Sequence, residues 1–381
     1  MTHVVIVGAG IIGATLAEAL TRRGANVTII DRDRAGQGAT ASSLAWINAN
    51  NRQPRSYHDF AVLALREWQH LAERYAMPSW YHSTGNLTWA ESEVDRERLA
   101  QRVARLEQVE YRVERLTQSQ AAALEPNLVI PLGADIVFFP DEGYVEGAEA
   151  VATLLASASA SGCRVIENDP VCSFEQSGDR IRSVRLASGH SVRGDVYVAA
   201  AGWRTPALLQ PIAVSVPLLA VDGRDARPPC LVATVPVEPG LVGRLVQSPL
   251  IKMRPKGVAE IQLEASDIND QTSRETPDED LARLAADLLA RARRLVPTLA
   301  GAEIGVRDVC VRPMPSDGLP IVGPAPGTSN VYLMVTHSGI TLGSLLARLV
   351  ASELIEERPA PLLEPYRPRN SAGSQCPDAG H

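Results

Sequence analysis

Lysine is almost missing from this 381-residue chain: of its 37 basic residues only Lys252 and Lys256 are lysines. We read that as a bias of base composition rather than of function. A basic surplus is missing too, since 44 acidic side chains outnumber the 37 basic ones and the net charge is −7. A nucleic-acid-binding protein would carry a basic excess or stripe instead. No apolar run reaches about 18 residues, so no membrane span is expected. The first ten residues, MTHVVIVGAG, lack the basic flank and small-residue cleavage site of a secretory signal, and a cytoplasmic location is expected. Five scattered cysteines (Cys163, Cys172, Cys230, Cys310 and Cys376) form no CxxC and no metal-ligand spacing, so no metal site is expected. Neither an HExxH motif nor a Ser-His-Asp arrangement is visible. What remains is 45% hydrophobic with 28 Gly and 27 Pro. That composition suits a folded enzyme, and the length suits two domains or one composite fold.

The N-terminus holds the first motif. His3–Val7 is a continuously apolar, β-branched run of the kind that forms a strand buried on both faces. It leads into Gly8-Ala9-Gly10-Ile11-Ile12-Gly13, and then into an amphipathic stretch from Ile12 to Arg23 with Leu16, Ala19 and Leu20 on one face. Gly24 closes it, Val27–Ile30 is a second strand, and Asp31 ends that strand. Gly8 permits the tight turn, Gly10 lets backbone approach a pyrophosphate, and Gly13 allows close helix packing. The helix start offers N–H donors at Ile11 and Ile12 and a positive dipole end. Asp31 can accept hydrogen bonds from ribose hydroxyls. Strand, glycines, helix, strand and acid stand in the order a dinucleotide site needs.

Later segments extend this site. Arg32 begins a loop running through Gly38, Ala39, Thr40, Ala41, Ser42 and Ser43, whose small residues suit close contact with a second phosphate or a flavin, or a flexible linker. Gly162–Ile166 and Pro170-Val171-Cys172 read as strands, with the Val171 backbone placed to meet an adenine. Val196–Ala200 reads as a strand ending in Ala201-Gly202. Near the C-terminus, Arg312-Pro313 and Asp317-Gly318 precede a strand at Val331–Val335. Thr336-His337-Ser338-Gly339-Ile340-Thr341 then opens an apolar helix reaching Ile355. That second helix N-terminus can stabilise negative charge on a reduced flavin ring.

The chain resembles the FAD-dependent oxidoreductases of the D-amino acid oxidase type, a family that includes glycine oxidase, sarcosine oxidase and the small subunit of D-amino acid dehydrogenase. The matching segments are GAGIIG (8–13), the acid at 31, GATASS (38–43), Val171, DVYVAAAG (195–202), RPMPSDGLPIVG (312–323) and THSGITL (336–342). Two positions depart from the pattern: Asp31 stands where Glu is usual, and Thr336 where Gly is usual.

The resemblance implies an α/β fold (α+β overall). A Rossmann-like FAD-binding domain is expected from three discontinuous segments, 1–85, 145–212 and 308–365. A mostly antiparallel substrate domain is expected from 86–144 and 213–307, with 366–381 as a disordered tail. Local patterns fit: Val94–Leu116 is charged with helical period, and Leu231–Val235 and Ile261–Leu263 read as strands. Thr276 reads as the N-cap of a helix with Pro277 at its first position. That helix carries Leu281, Leu284, Leu288 and Leu295 and stops at Pro297.

The expected chemistry is FAD-dependent oxidation of a C–N bond in a small amino acid or an N-alkyl or cyclic amino acid, with reoxidation by oxygen or an electron carrier. Partners would be a small carboxylated amine and, in addition, a carrier protein or a second copy of the chain. Arg312 matches the arginine that binds the substrate carboxylate in glycine oxidase-like relatives, and a planar guanidinium suits that task. His337 stands beside the expected flavin edge, open to polarising the flavin, contacting substrate or packing the helix. Cys310 has the spacing of the flavin-linked cysteine in sarcosine oxidase-like relatives, but the residues after it differ, and FAD is expected to be non-covalent. Trp46, Asn48 and Asn50 are candidates for the pocket wall. Lys252 and Lys256 are candidates for promoting flavin reoxidation, as a lysine does in some relatives. The alternatives are an NAD(P)H-dependent flavin monooxygenase or halogenase, which shares the first motif, and a non-catalytic FAD-bearing subunit.

Overall fold

Val7 is the last residue of a strand, His3–Val7, that occupies an inner position of a six-stranded sheet. The computed structural model describes residues 2–221 and 229–369 of the chain. The sheet order is Ile321–Pro324, Val331–Val335, Val196–Ala199, His3–Val7, Asn26–Ile30, Arg164–Ile166. All neighbours run parallel except the first pair. Parallel neighbours need long crossovers, which here include whole excursions of the chain into a second sheet.

The helix Ile11–Thr21 lies against this sheet and is buried along its whole length. The one-sided apolar face read from Leu16, Ala19 and Leu20 therefore understates it. The final helix, Gly339–Glu356, and the helix Gly147–Ala160 cover its remaining sides. Thr15 Oγ1 donates to the Gly343 carbonyl at 3.2 Å, and a Cβ on Gly343 would stand 3.7 Å from Ile11. Glu18 is drawn into this core opposite Arg22 and Arg74.

The second sheet has eight strands: Arg307–Cys310, Cys230–Pro236, Glu260–Glu264, Lys252–Lys256, Leu245–Gln247, Asn86–Ala90, Asp135–Phe139 and Glu114–Leu116. It is antiparallel except where Leu245–Gln247 meets Asn86–Ala90. The helix Asp278–Leu295 backs it with Leu284, Leu288 and Leu295. Two three-stranded sheets complete the structure, one of them built from Val171–Ser177, Arg180–Leu186 and Ser191–Arg193. No helix among the described residues is long and apolar enough to cross a membrane.

Four expectations need correction. The strand Arg307–Cys310 pairs with Cys230–Pro236, so the segment expected to start at 308 begins on the second sheet. The helix expected over Val94–Leu116 runs only from Glu93 to Glu107. Glu110 then takes a left-handed φ of 56°, and Glu114–Leu116 forms a strand. Thr276 does not cap the helix after it. Pro277 is the N-cap, Thr276 Oγ1 accepts from the Ser273 N–H at 2.7 Å, and Asp278, Glu279 and Asp280 answer the helix dipole. Lastly, the disorder expected from 366 onward does not hold at the first of those residues, because Tyr366 is buried and Arg367 pairs with Glu353 at 2.7 Å. Residues 370–381 lie outside the described residues.

Candidate active site

The glycine motif folds as its spacing demands. Gly8 has φ +112°, and a Cβ there would stand 2.4 Å from the Ala200 carbonyl oxygen. Gly13 is bound just as tightly, since its Cβ would lie 1.9 Å from the Gly8 oxygen. The helix can therefore press on the loop only with glycine at both positions. Asp31 binds the loop from the other side, accepting the Ala9 N–H at 2.6 Å and the Asp33 N–H at 2.9 Å. Burial pushes the Asp31 carboxyl upward, against the lowering effect of those two donors. Thr40 Oγ1 accepts the Ile11 N–H at 3.0 Å, tying the small-residue loop to the helix start.

These elements surround one cavity of about 990 Å³ between the two large sheets. Gly8, Gly10, Ile11, Ile12, Asp31 and Arg32 line it, as do Ala39, Thr40, Ser43, Val171, Ala201 and Gly202. At its other end stand Arg312, His337, Gly339, Ile340 and Thr341, with Cys310, Trp46, Asn48 and Lys252. Gly13, Ser42, Asn50 and Lys256 do not line it. Gly13 is consumed in packing on Gly8, and Ser42 is buried, donating to the Gly38 carbonyl at 2.8 Å. Asn50 is fully buried and directs its side chain onto Glu142 at 3.0 Å. Lys256 sits at the far end of the strand that carries Lys252.

The second sheet supplies the features that motif reading missed. Glu264 lines the cavity and accepts from Lys252 Nζ and Asn269 Nδ2, both at 3.1 Å. Burial works against its charge, yet the Lys252 and Arg312 cations hold its carboxyl below the ordinary range. Gln262, one turn of the pleat away, donates to the Ser43 carbonyl at 2.9 Å, and Arg254 Nε donates to the Leu44 carbonyl at 2.7 Å. Polar residues at 260, 262 and 264 of an otherwise apolar strand were the available signal. At the Asp31 end, Trp203 lies between the Arg204 and Arg274 guanidinium groups, at 4.2 and 4.8 Å. Cys310 and Cys230 face each other across neighbouring strands. Burial pushes the Cys310 thiol up to about 11, so it stands as a neutral thiol.

Two helix N-termini on one cavity, a glycine loop braced by a strand-terminal acid, and a parallel sheet define a dinucleotide-binding oxidoreductase fold. The known proteins narrow the class. A family model described as FAD dependent oxidoreductase (DAO) matches residues 3–353. Glycine oxidase from Geobacillus kaustophilus is 26% identical over 374 residues, covering 94% of each chain. Its crystal structure superposes with a TM-score of 0.84 at 22% identity, covering 98% of this chain and 100% of that one. Iminodiacetate oxidase from Chelativorans sp. BNC1 superposes with a TM-score of 0.80 at 22% identity, over 96% and 98%. The chain belongs to the DAO family of FAD-dependent oxidoreductases. It is an enzyme with FAD as its cofactor, which sets aside the monooxygenase and non-catalytic alternatives.

The cavity's residues suit that cofactor. Ser43 lines it with a buried Oγ that has no hydrogen-bond partner among the described residues. The starts of two helices, of 11 and 18 residues, open onto it.

Proposed function

We propose that the protein oxidises the C–N bond of a small amino acid, or of an N-alkyl or cyclic amino acid, bound through its carboxylate to Arg312. The observation carrying this reading is that Arg312 and the start of the final helix line the same cavity as the glycine loop. FAD would be held by the backbone at Gly10, Ile11 and Ile12, by Asp31 and Arg32, by Ala39, Thr40 and Ser43, by Val171, Ala201 and Gly202, and by Gly339, Ile340 and Thr341. When bound, it supplies a two-electron acceptor.

The chain's own side chains then position and orient. Arg312 takes the carboxylate in a bidentate grip, which fixes the adjoining C–H and amine relative to the cavity wall. Glu264 stays ionised between Lys252 and Arg312, so it serves as a fixed charge that holds both cations and not as a proton acceptor. His337, half-buried with Nδ1 3.5 Å from Ser338 Oγ, borders the reacting end. The amine binds uncharged, so no dedicated base is required, and water hydrolyses the imine to an oxo product and an amine.

The test is anaerobic mixing of the holoenzyme with glycine, sarcosine, proline, D- and L-amino acids, and the same amines without their carboxylate. Bleaching of the flavin absorption by a carboxylated amine and not by its decarboxylated twin supports the reading. Bleaching that ignores the carboxylate overturns the role of Arg312.

A further inference from the structure

Arg52 is a cation at the His337 end of the cavity that the reaction above does not use. Both Asn51 and Arg52 line the cavity. The Arg52 guanidinium lies over the Tyr57 ring, 5.7 Å from its centre, and its Nε is buried without a hydrogen-bond partner. No carboxylate among the described residues stands within ion-pair distance of it. Other sheltered cations are treated differently: Arg244 holds Glu125, Lys252 holds Glu264, Arg254 holds Glu146 and Arg367 holds Glu353. Arg52 is half-buried, and a partly sheltered guanidinium without a counter-charge gains when a ligand supplies one.

The turn bearing Arg52 is built to hold it still. Arg105 donates to the Arg52 carbonyl at 3.0 Å and to the Asn50 carbonyl at 2.9 Å. Arg102 reaches Asn51 Oδ1 at 3.3 Å, and Asn50 is fastened to Glu142. Tyr57 in turn donates to Ser338 Oγ at 3.3 Å, which places Arg52 at the His337 end of the cavity. A charged group on a braced turn meets its ligand with little ordering cost.

We propose that Arg52 is a second anion-binding residue of the active site, and that the substrate is a dicarboxylated amine. One carboxylate pairs with Arg312 and the other, on the side chain or the nitrogen substituent, with Arg52. This rests on the amine-oxidising reading of the cavity. Lys252 is already answered by Glu264, and Arg204 and Arg274 stand over Trp203 at the Asp31 end, which leaves Arg52 placed for the second carboxylate at the His337 end. A monocarboxylated amine would enter the same cavity and leave Arg52 without a counter-ion.

The experiment compares matched pairs in the FAD-loaded enzyme: sarcosine against iminodiacetate, and alanine against aspartate and glutamate in both enantiomers. Flavin reduction is followed without oxygen. At least one dicarboxylated member should exceed its monocarboxylated twin by about 10- to 100-fold in kcat/KM, expressed mainly in KM, the range expected for one charged hydrogen-bonded contact. Arg52→Gln should collapse that ratio toward one, Arg52→Lys should keep part of it, and Lys256→Gln, outside the cavity, should leave it unchanged.

Binding is read separately by calorimetric titration with the non-oxidisable thiodiacetate and (methylthio)acetate, where wild type should prefer the diacid and Arg52→Gln should not. A ratio near one in wild type for every pair, or a preference that survives Arg52→Gln and Arg52→Lys unchanged, overturns the proposal. If no amine bleaches the flavin, the amine-oxidising reading fails. The titration still decides Arg52 in that case, since equal affinity for the two thioethers overturns its role.

Discussion

Glu142 offers the sharpest test of the electrostatics around the cavity wall. Its side chain is completely buried and receives five donors: Tyr111 OH at 2.8 Å, Trp46 Nε1 and Asn50 Nδ2 at 3.0 Å, Asn86 Nδ2 at 3.2 Å and the Asn50 N–H at 3.3 Å. Burial outweighs those donors and raises its carboxyl from 4.5 to about 7. The folded protein therefore holds this proton more tightly than the unfolded chain. The stabilisation is fully present below pH 4.5 and is lost as pH climbs through 7. A rise of that size corresponds to about 3 kcal/mol. Glu142→Gln keeps the shape and removes the titration. Urea unfolding of both proteins between about pH 5 and pH 8 should show wild type losing about 2.5 kcal/mol that the variant does not lose, the rest having gone below pH 5. The acid-side advantage of wild type then shrinks or reverses by pH 8. Two curves that run parallel across the range, within about 0.5 kcal/mol, would show that Glu142 does not titrate there and refute the reasoning.

Three further outcomes are expected. Gly13→Ala forces a Cβ to 1.9 Å from the Gly8 oxygen; the protein should lose at least about 3 kcal/mol of stability and be isolated without yellow colour, checked by thermal melting and by flavin absorbance. Cys310, a buried neutral thiol, should carry no flavin, so acid precipitation should release all colour and leave a polypeptide of unmodified mass; a gain of one FAD in the mass spectrum contradicts this. Arg254→Met removes the partner of Glu146, 2.7 Å away in a buried pair. It should cost about 3–5 kcal/mol in denaturant unfolding, with Arg254→Met/Glu146→Gln recovering part of the loss.

Much of the cofactor side of this cavity was legible because its chemistry is local. A turn at Gly8 with φ +112° admits glycine almost alone, and Asp31 follows its strand directly, so both leave a mark in a short window of sequence. The final helix was legible for the same reason. The wall opposite was not. Glu264, Lys252 and Arg52 meet the cavity through strand register and a braced turn; the polar alternation at 260, 262 and 264 marks one face of a strand, but not that this face looks onto the cavity. Glu142 likewise follows Asp141 in a turn with nothing to mark it out, and only the fold shows Asn50, Asn86 and Tyr111 converging on it. The helix predicted across Val94–Leu116 failed at Glu110, a residue whose left-handed conformation no periodicity reports.

The position of the first strand has a consequence for biosynthesis. His3–Val7 is flanked by Asn26–Ile30 on one side but by Val196–Ala199 on the other, and the helix after it is covered by Gly339–Glu356. A ribosome releases the apolar segment His3–Val7 and the helix after it well before the segments that cover them, Val196–Ala199 and Gly339–Glu356. Until then the first helix has no complete shelter, and the glycine loop lacks the Ala200 backbone against which it closes. Such long-range pairing slows folding and leaves greasy surface open to chaperones and to aggregation. The glycine loop therefore closes into its cofactor-binding form only after the segments around Ala200 and Gly339 have been made and have packed against it.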